Sequence, residues 1–222
     1  MCRIDGRTNV RDAYLSIEVI AESWNVATMK SVKPFTHTSM DYQLSPDRGR
    51  LVDAAFSVHH RRIRRLFDQS VRKYDVPRNW VLEIGPGFKS RRRRISAART
   101  VVVDREPRSG TDVRTDVAHL PFRDGAFDFV ICENVLEHIA EPNDAVREVS
   151  RVTRPGGGVF LVTPFLFPIH DPPFDFFRYT EYSLRKLLSS FHSIHIESIP
   201  LVPLPARVRE RFPLYYVAIA QR

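Results

Sequence analysis

Between Trp80 and Thr163, short apolar runs that stop abruptly alternate with stretches of helical or loop character, and this alternation constrains the fold more than any other feature of the chain. Trp80-Val-Leu-Glu-Ile84 stops at a glycine, and Thr100-Val-Val-Val-Asp104 stops at an aspartate. Phe127-Asp-Phe-Val-Ile-Cys132 and Val159-Phe-Leu-Val-Thr163 follow. Runs this short, rich in β-branched residues, read as strands buried on both faces, as in a parallel sheet. After Pro142 the pattern turns helical, with Asn143 as the expected N-cap and Ala145, Val146, Val149 and Val152 on one face, until Arg154-Pro-Gly-Gly-Gly158 ends the helix. Ahead of the first strand, Leu51, Val52, Ala55, Phe56, His59, Ile63, Leu66, Phe67 and Tyr74 recur at three- and four-residue steps. They predict an amphipathic helix that ends before Pro77 and carries a basic outer face. Thr180 is placed to cap a helix through Phe191, and two last strands are expected near His195 to Ile199 and Leu214 to Ala220. Strands alternating with helices imply a mostly parallel α/β sheet with helices on both faces.

With 222 residues the chain can bury the core of one sizeable domain. Residues 1–45 are assigned to an N-terminal arm with one expected helix around Asp12 to Trp24, and residues 46–222 to the domain, including a leading helix over 47–75. No run approaches the roughly 18 uncharged apolar residues of a membrane helix, and Met-Cys-Arg-Ile-Asp-Gly-Arg-Thr lacks an apolar signal segment, so a cytoplasmic location is expected. Cys2 and Cys132 show no metal or redox spacing, no metal site is expected, and Cys132 reads as a small buried thiol. The net charge of +8 comes mostly from arginine, clustered in His59-His-Arg-Arg-Ile-Arg-Arg65 and Ser90-Arg-Arg-Arg-Arg94. Such clusters suit a nucleic acid, an anionic membrane surface or an anionic substrate, and a solvated helix face gives the same count.

The chemistry falls in the loops after the strands, because an open α/β sheet binds ligands beyond its strand carboxyl ends. Glu83-Ile-Gly-Pro-Gly-Phe-Lys89 is the first such loop, where Gly85 and Gly87 allow close backbone approach to a ligand. Asp104 lies 21 residues after Glu83, at the end of the second strand, where an acid can accept hydrogen bonds from both ribose hydroxyls. Ser90 occupies the place of the third glycine of a dinucleotide fingerprint, and no second mononucleotide-binding half follows, so the expected cofactor has one nucleoside and little or no phosphate.

Five ordered segments, Val81-Leu-Glu-Ile-Gly-Pro-Gly87, Val101-Val-Val-Asp104, Thr115-Asp-Val-Ala-His-Leu-Pro-Phe122, Phe127 to Ile139 and Arg154 to Thr163, resemble the motifs of class I S-adenosylmethionine-dependent methyltransferases. The nearest group is the one called methyltransferase type 11. The resemblance covers about residues 78 to 200. It implies a Rossmann-like seven-stranded, mostly parallel sheet with an antiparallel C-terminal strand, and S-adenosyl-L-methionine as cofactor. By the same resemblance, Glu83, Gly85, Pro86 and Gly87 form the loop around the methionine end. Asp104, with Arg105 beside it, meets the ribose, and Asp116 and Val117 meet the adenine. Glu133 and Asn134 lie by the methionine portion or the transferred methyl. His138 is common in the family, with a structural role equally open. Lys89 stands where many members have a third glycine, as in a G-x-G-x-K subgroup. The polar run Ser90 to Ala98 predicts a short, irregular first crossover.

His170-Asp-Pro-Pro-Phe-Asp-Phe-Phe-Arg-Tyr-Thr180 follows the last parallel strand, and its double proline keeps it a loop on the acceptor side of the cleft. In a functional reading His170 is a general base, Arg178 anchors an anionic acceptor, and Tyr179 with the phenylalanines excludes water. In the alternative, Asp175 and Arg178 form an ion pair that fixes the loop while the aromatics pack on the core. The expected acceptor is a small molecule, glycan or lipid-linked molecule, methylated on oxygen or nitrogen. An RNA methyltransferase and a non-catalytic RNA- or partner-binding protein are the alternatives. Peripheral membrane contact stays compatible with the sequence, and the oligomeric state is not readable from it.

Overall fold

Period-two alternation along the central strands sorts their side chains into two apolar layers, one on each side of a single sheet. The computed structural model describes residues 46–87, 90–106, 109–200 and 212–222, with side chains from His59 onward. The N-terminal arm and the helix expected around Asp12 to Trp24 lie outside them. In strand β1 (Trp80–Ile84) Val81 faces one layer while Leu82 and Ile84 face the other. In β4 (Phe127–Glu133) Phe129 and Ile131 oppose Val130 and Cys132, and in β5 (Thr153–Pro164) Phe160 and Val162 oppose Val159 and Leu161. The buried Cys132 thiol is the packing residue its sequence context suggested, and burial pushes its pKa well up.

Helix α1 (Pro46–Val71) brings Ile63, Phe67 and Val71 to the first layer, where the Phe67 ring meets Phe160 edge-on at 5.4 Å. Helix α2 (Pro142–Val152) buries Ala145, Val146, Val149 and Val152 in the second, beside Leu184 of helix α3 (Glu181–Leu187). With β2 (Arg99–Asp104), β3 (Val113–Arg114), β6 (Ser193–Pro200) and β7 (Pro213–Gln221), the strand order is β3-β2-β1-β4-β5-β7-β6. β1 pairs in parallel with β2 and β4, and β7 runs antiparallel to both β5 and β6. This is the expected α/β sheet with helices on both faces. Its parallel strands all end on one edge.

Several boundaries differ from the sequence expectation. α1 stops at Val71, and Tyr74 packs from the following turn, its ring stacked on Phe129 at 4.9 Å. Glu141 holds the N-cap position of α2 without a side-chain bond, and Pro142 takes N1, so Asn143 lies inside the first turn. α3 ends at Leu187, although Thr180 caps it as expected in a reciprocal box with Ser183. The Arg154 to Gly158 segment is strand, not a helix terminator. Its last glycine is explained by close approach, since a Cβ on Gly158 would lie 2.7 Å from the Tyr74 hydroxyl. The described part of the β1–β2 crossover holds a single 3-10 turn, Arg92–Arg94, as its composition suggested. Among the described residues no helix is long and apolar enough to cross a membrane.

Candidate active site

At the carboxyl edge of the sheet, β1 leads into a loop whose glycines take left-handed backbone angles, Gly85 at φ +56° and Gly87 at +57°. A Cβ on Gly85 would come within 2.8 Å of Val135 Cγ2, so the β1 and β4 loops touch there. Among the described residues nothing lies within 4 Å of the corresponding position on Gly87, whose backbone borders open space there. Beneath the loop, Glu83 is buried and accepts hydrogen bonds from the Ser90 hydroxyl and the Arg91 amide, both at 2.5 Å. Burial raises its pKa against the pull of those donors. Arg91 then makes a two-pronged pair with Glu133, Nε to Oε1 and Nη2 to Oε2 both at 2.7 Å, with its guanidinium over the Phe67 ring. Asn134, next to it, takes φ +53°, a conformation asparagine tolerates well.

Asp104 ends β2 nearly buried, and its Oδ1 accepts the Glu106 amide at 2.9 Å. Its carbonyl accepts the Thr115 amide, which places Asp116 on the same edge. Asp116 caps the 3-10 turn Val117–His119 through the Ala118 amide, with Val117 buried behind it. Arg105 reaches over the Phe174 ring at 5.2 Å. β2 and β5 are separated by β1 and β4, so this contact carries the loop after β5 across the edge of the sheet.

Within that loop, Arg178 pairs with Asp175 through both oxygens, at 2.5 and 2.7 Å. Its remaining N–H groups reach the carbonyls of Phe167, Pro168 and Phe177. Arg178 therefore holds the loop, as the ion-pair alternative had it, and has no spare donor for an acceptor anion. Tyr179 is buried and donates its hydroxyl to the Leu136 carbonyl at 3.0 Å, so it belongs to the core side of the loop. Phe174 and Phe176 stay exposed by about two fifths, 43% and 45%, and form the outer cover. The Pro172–Pro173 peptide is cis.

His170 lies under this cover. Its Nδ1 is 3.2 Å from Asp175 Oδ2 and 3.3 Å from the Pro168 carbonyl, and its Nε2 is 3.8 Å from Glu137 Oε1. The His138 ring stands edge-on to it at 4.7 Å, with Nδ1 on the Phe174 carbonyl at 2.9 Å and Nε2 3.9 Å from the same Glu137 oxygen. Burial lowers the His138 pKa, and the neighbouring His170 lowers it further. Glu137 is 0% exposed, and among the described residues neither of its carboxylate oxygens has a hydrogen-bond partner. Burial raises its pKa to about 8, against the pull of its own backbone N–H and the Arg178 guanidinium.

The edge thus gathers Glu83, Gly85, Gly87, Glu133 and Asn134 into one group and Asp104, Asp116 and Val117 into a second, while His170, in the loop after β5, stands with Glu137 and His138. Sequence reasoning missed Ser90 and Arg91, which satisfy Glu83 and Glu133, and Glu137. For Glu137 a signal existed, a lone acid in the apolar run Asn-Val-Leu-Glu-His-Ile139. For Arg91 there was none, because it sits in a run of four arginines.

Comparison with known proteins places the central part of the chain among methyltransferases. Residues 82–161 match a family described as a methyltransferase domain. The chain is 42% identical over 84 residues to an uncharacterized chloroplastic methyltransferase of Arabidopsis thaliana, covering 38% of this chain and 22% of that protein. It is 42% identical over 74 residues to the demethylmenaquinone methyltransferase of Renibacterium salmoninarum, covering 32% of this chain and 29% of the other. The match therefore spans less than a third of the length of either relative. The crystal structure of a Burkholderia thailandensis 1,6-didemethyltoxoflavin-N1-methyltransferase, with 1,6-didemethyltoxoflavin and S-adenosylhomocysteine bound, shares the fold at TM-score 0.56 and 16% identity, over 99% of this chain and 93% of that one.

Proposed function

We propose, from the match of residues 82–161 to a methyltransferase domain, that the chain is a class I enzyme that transfers a methyl group from S-adenosyl-L-methionine to a small-molecule, glycan or lipid-linked acceptor. The observation that carries this reading is the convergence, on one sheet edge, of the open glycine loop with Asp104 and Asp116. These residues fit the cofactor. The backbone at Gly87 borders open space where a Cβ would close it, and two acids stand where a ribose and an adenine amino group need acceptors. Glu83 and Glu133, locked by Ser90 and Arg91, would shape the methionine end.

S-adenosylmethionine supplies a methyl already activated on a sulfonium. The protein's task is to hold the acceptor atom in line and keep water away. The acceptor's lone pair forms the new bond to carbon as the carbon–sulfur bond breaks, and a hydroxyl or amine acceptor then loses one proton. Phe174 and Phe176 supply the cover, and the His138–His170–Glu137 group stands ready for the proton, with Asp175 and the Phe174 carbonyl fixing the two rings. A cytoplasmic location belongs to the same reading.

Titration with S-adenosylhomocysteine tests it. A folded wild-type protein should bind one equivalent, and Asp104→Ala should abolish the heat signal while leaving the unfolding midpoint near that of wild type. No binding by the folded wild-type protein rejects the transferase reading. RNA as acceptor predicts polynucleotide binding that weakens steeply with salt, since phosphate contacts release counterions, and a flat response rejects that alternative.

A further inference from the structure

The geometry points to a divalent metal site formed by Glu137, His138 and His170, beside the acceptor cleft. One donor atom from each of the three lies within 4.8 Å of the others. The hydrogen-bond assignments decide what those atoms are. His138 Nδ1 faces the Phe174 carbonyl, and His170 Nδ1 faces the Asp175 carboxylate and the Pro168 carbonyl. Carbonyl and carboxylate oxygens only accept, so in both neutral rings Nδ1 carries the hydrogen and Nε2 presents a lone pair. Both Nε2 atoms face Glu137 Oε1, at 3.9 and 3.8 Å, too far for a hydrogen bond. Glu137 is fully buried, and among the described residues both its carboxyl oxygens lack a hydrogen-bond partner. Two imidazole lone pairs thus converge on a buried carboxyl group that no described side chain satisfies, an arrangement that is costly to leave unfilled.

A first-row divalent cation resolves the conflict. Two imidazoles and one carboxylate are its ligand types, and bonds of about 2.0–2.2 Å need the three groups to close in only slightly. Orienting a ligating histidine by a carbonyl or carboxylate at the other ring nitrogen is the usual arrangement around such ions. The Glu137 side chain is fully buried, but His138 and His170 keep 20% and 26% of theirs exposed, so a cation here would retain an open position toward the cleft. Three protein ligands with an open position are the pattern of a catalytic site and not of a closed structural one. No sequence spacing announces it, because His170 joins from a different loop, 32 positions after His138.

The role of this site rests on the transferase reading. With a cation bound, the three side chains serve as its ligands in place of taking the proton themselves: a hydroxyl acceptor at the open position would lose its proton more readily, to solvent, and its oxygen would form the bond to the methyl carbon as the carbon–sulfur bond breaks. This favours an oxygen acceptor over an amine.

The full-length protein, stripped with a chelator, is titrated with zinc and with manganese, and bound metal is counted by elemental analysis. One equivalent is expected in the wild type, with His170→Ala and Glu137→Gln each weakening affinity about tenfold or more while S-adenosylhomocysteine affinity stays unchanged. Cobalt in place of zinc should give visible absorption bands that the His170→Ala variant loses. Absence of stoichiometric metal in the wild type, or equal metal affinity in both variants, overturns the site. Should Glu137→Gln fail to fold, His138→Ala takes its place with the same expectation. Metal binding without S-adenosylhomocysteine binding would reject the transferase reading and leave the metal site standing.

Discussion

Gly85 shows how much of the site hangs on single atoms. Its φ of +56° alone would cost a residue with a Cβ about 1–2 kcal/mol, and the added carbon would press on Val135 Cγ2 at 2.8 Å. Gly85→Ala should therefore lower stability by at least that amount in urea titration and weaken S-adenosylhomocysteine binding, because relief requires the β1 and β4 loops to part. Gly87→Ala shares the angle but meets open space, so it should cost less stability while still obstructing the cofactor. Equal effects in both assays would mean that Val135 gives way freely. The glycines and Asp104 were legible in the sequence because each is tied to a strand end by a spacing that chemistry dictates, and Asp116 was singled out only through the family resemblance. Glu137 left only its placement in a mostly apolar run as a signal, and that was overlooked because an acid beside a histidine reads as solvated polarity until the 3-10 turn Leu136–His138 is seen to turn its carboxylate inward. Arg178 and Tyr179 were visible as chemistry-bearing types, but their partners, Asp175 and the Leu136 carbonyl, decide that they serve the loop.

At the level of elements, the first crossover replaces the usual helix with ion pairs. Arg91 bridges to Glu133, Arg92 to Asp112 and Arg94 to Asp68, so much of the arginine run that suggested an anionic partner faces the protein's own carboxylates. Removing Arg91 leaves Glu83 buried beside an unpaired Glu133. Arg91→Ala should cost roughly 3 kcal/mol, the range for breaking a buried pair from one side, and should lower cofactor affinity as well. The same crossover ends on Asp75, whose carboxylate accepts the amides of Ser96, Ala97 and Ala98 and the Ser96 hydroxyl. Burial raises its pKa, but the three amides outweigh it, and the folded-state value lies below the unfolded one. Asp75 therefore stabilises the fold fully above its unfolded pKa, and this contribution is lost as pH falls through the lower folded value. Chemical denaturation across the acid range should show a shallower stability loss for Asp75→Asn than for wild type, with the variant weaker at neutral pH. Parallel slopes would remove Asp75 from the acid response. The central strands and α2 could be read from periodicity because burial on fixed faces leaves a repeating trace. β3, two residues long at the sheet edge, leaves none, and the glycine-rich start of β5 reads as a helix stop because Tyr74, which Gly158 accommodates, lies 84 positions earlier.

Across the whole molecule, the two halves of the sheet edge are joined from above by the loop after β5. Phe174 meets Arg105 beyond β2, while the Phe176 and Phe177 amides bond to the Glu137 carbonyl beyond β4. The cation–π contact of Arg105 with the exposed Phe174 ring, which also meets Phe176 edge-on, contributes about 0.5–1 kcal/mol, too little to matter for folding and enough to alter how long a ligand stays beneath it. Phe174→Ala should thus leave the unfolding midpoint nearly unchanged and speed S-adenosylhomocysteine release a few-fold, on the order of the rate factor that such an energy represents. Arg105→Ala should reproduce the effect, and the double variant should add little to either single change, because both remove one contact. Stopped-flow dissociation measures all three. Additive effects of the two changes would show that Phe174 and Arg105 act on the ligand separately, and an unchanged release rate in both would show that the loop covers the acceptor alone.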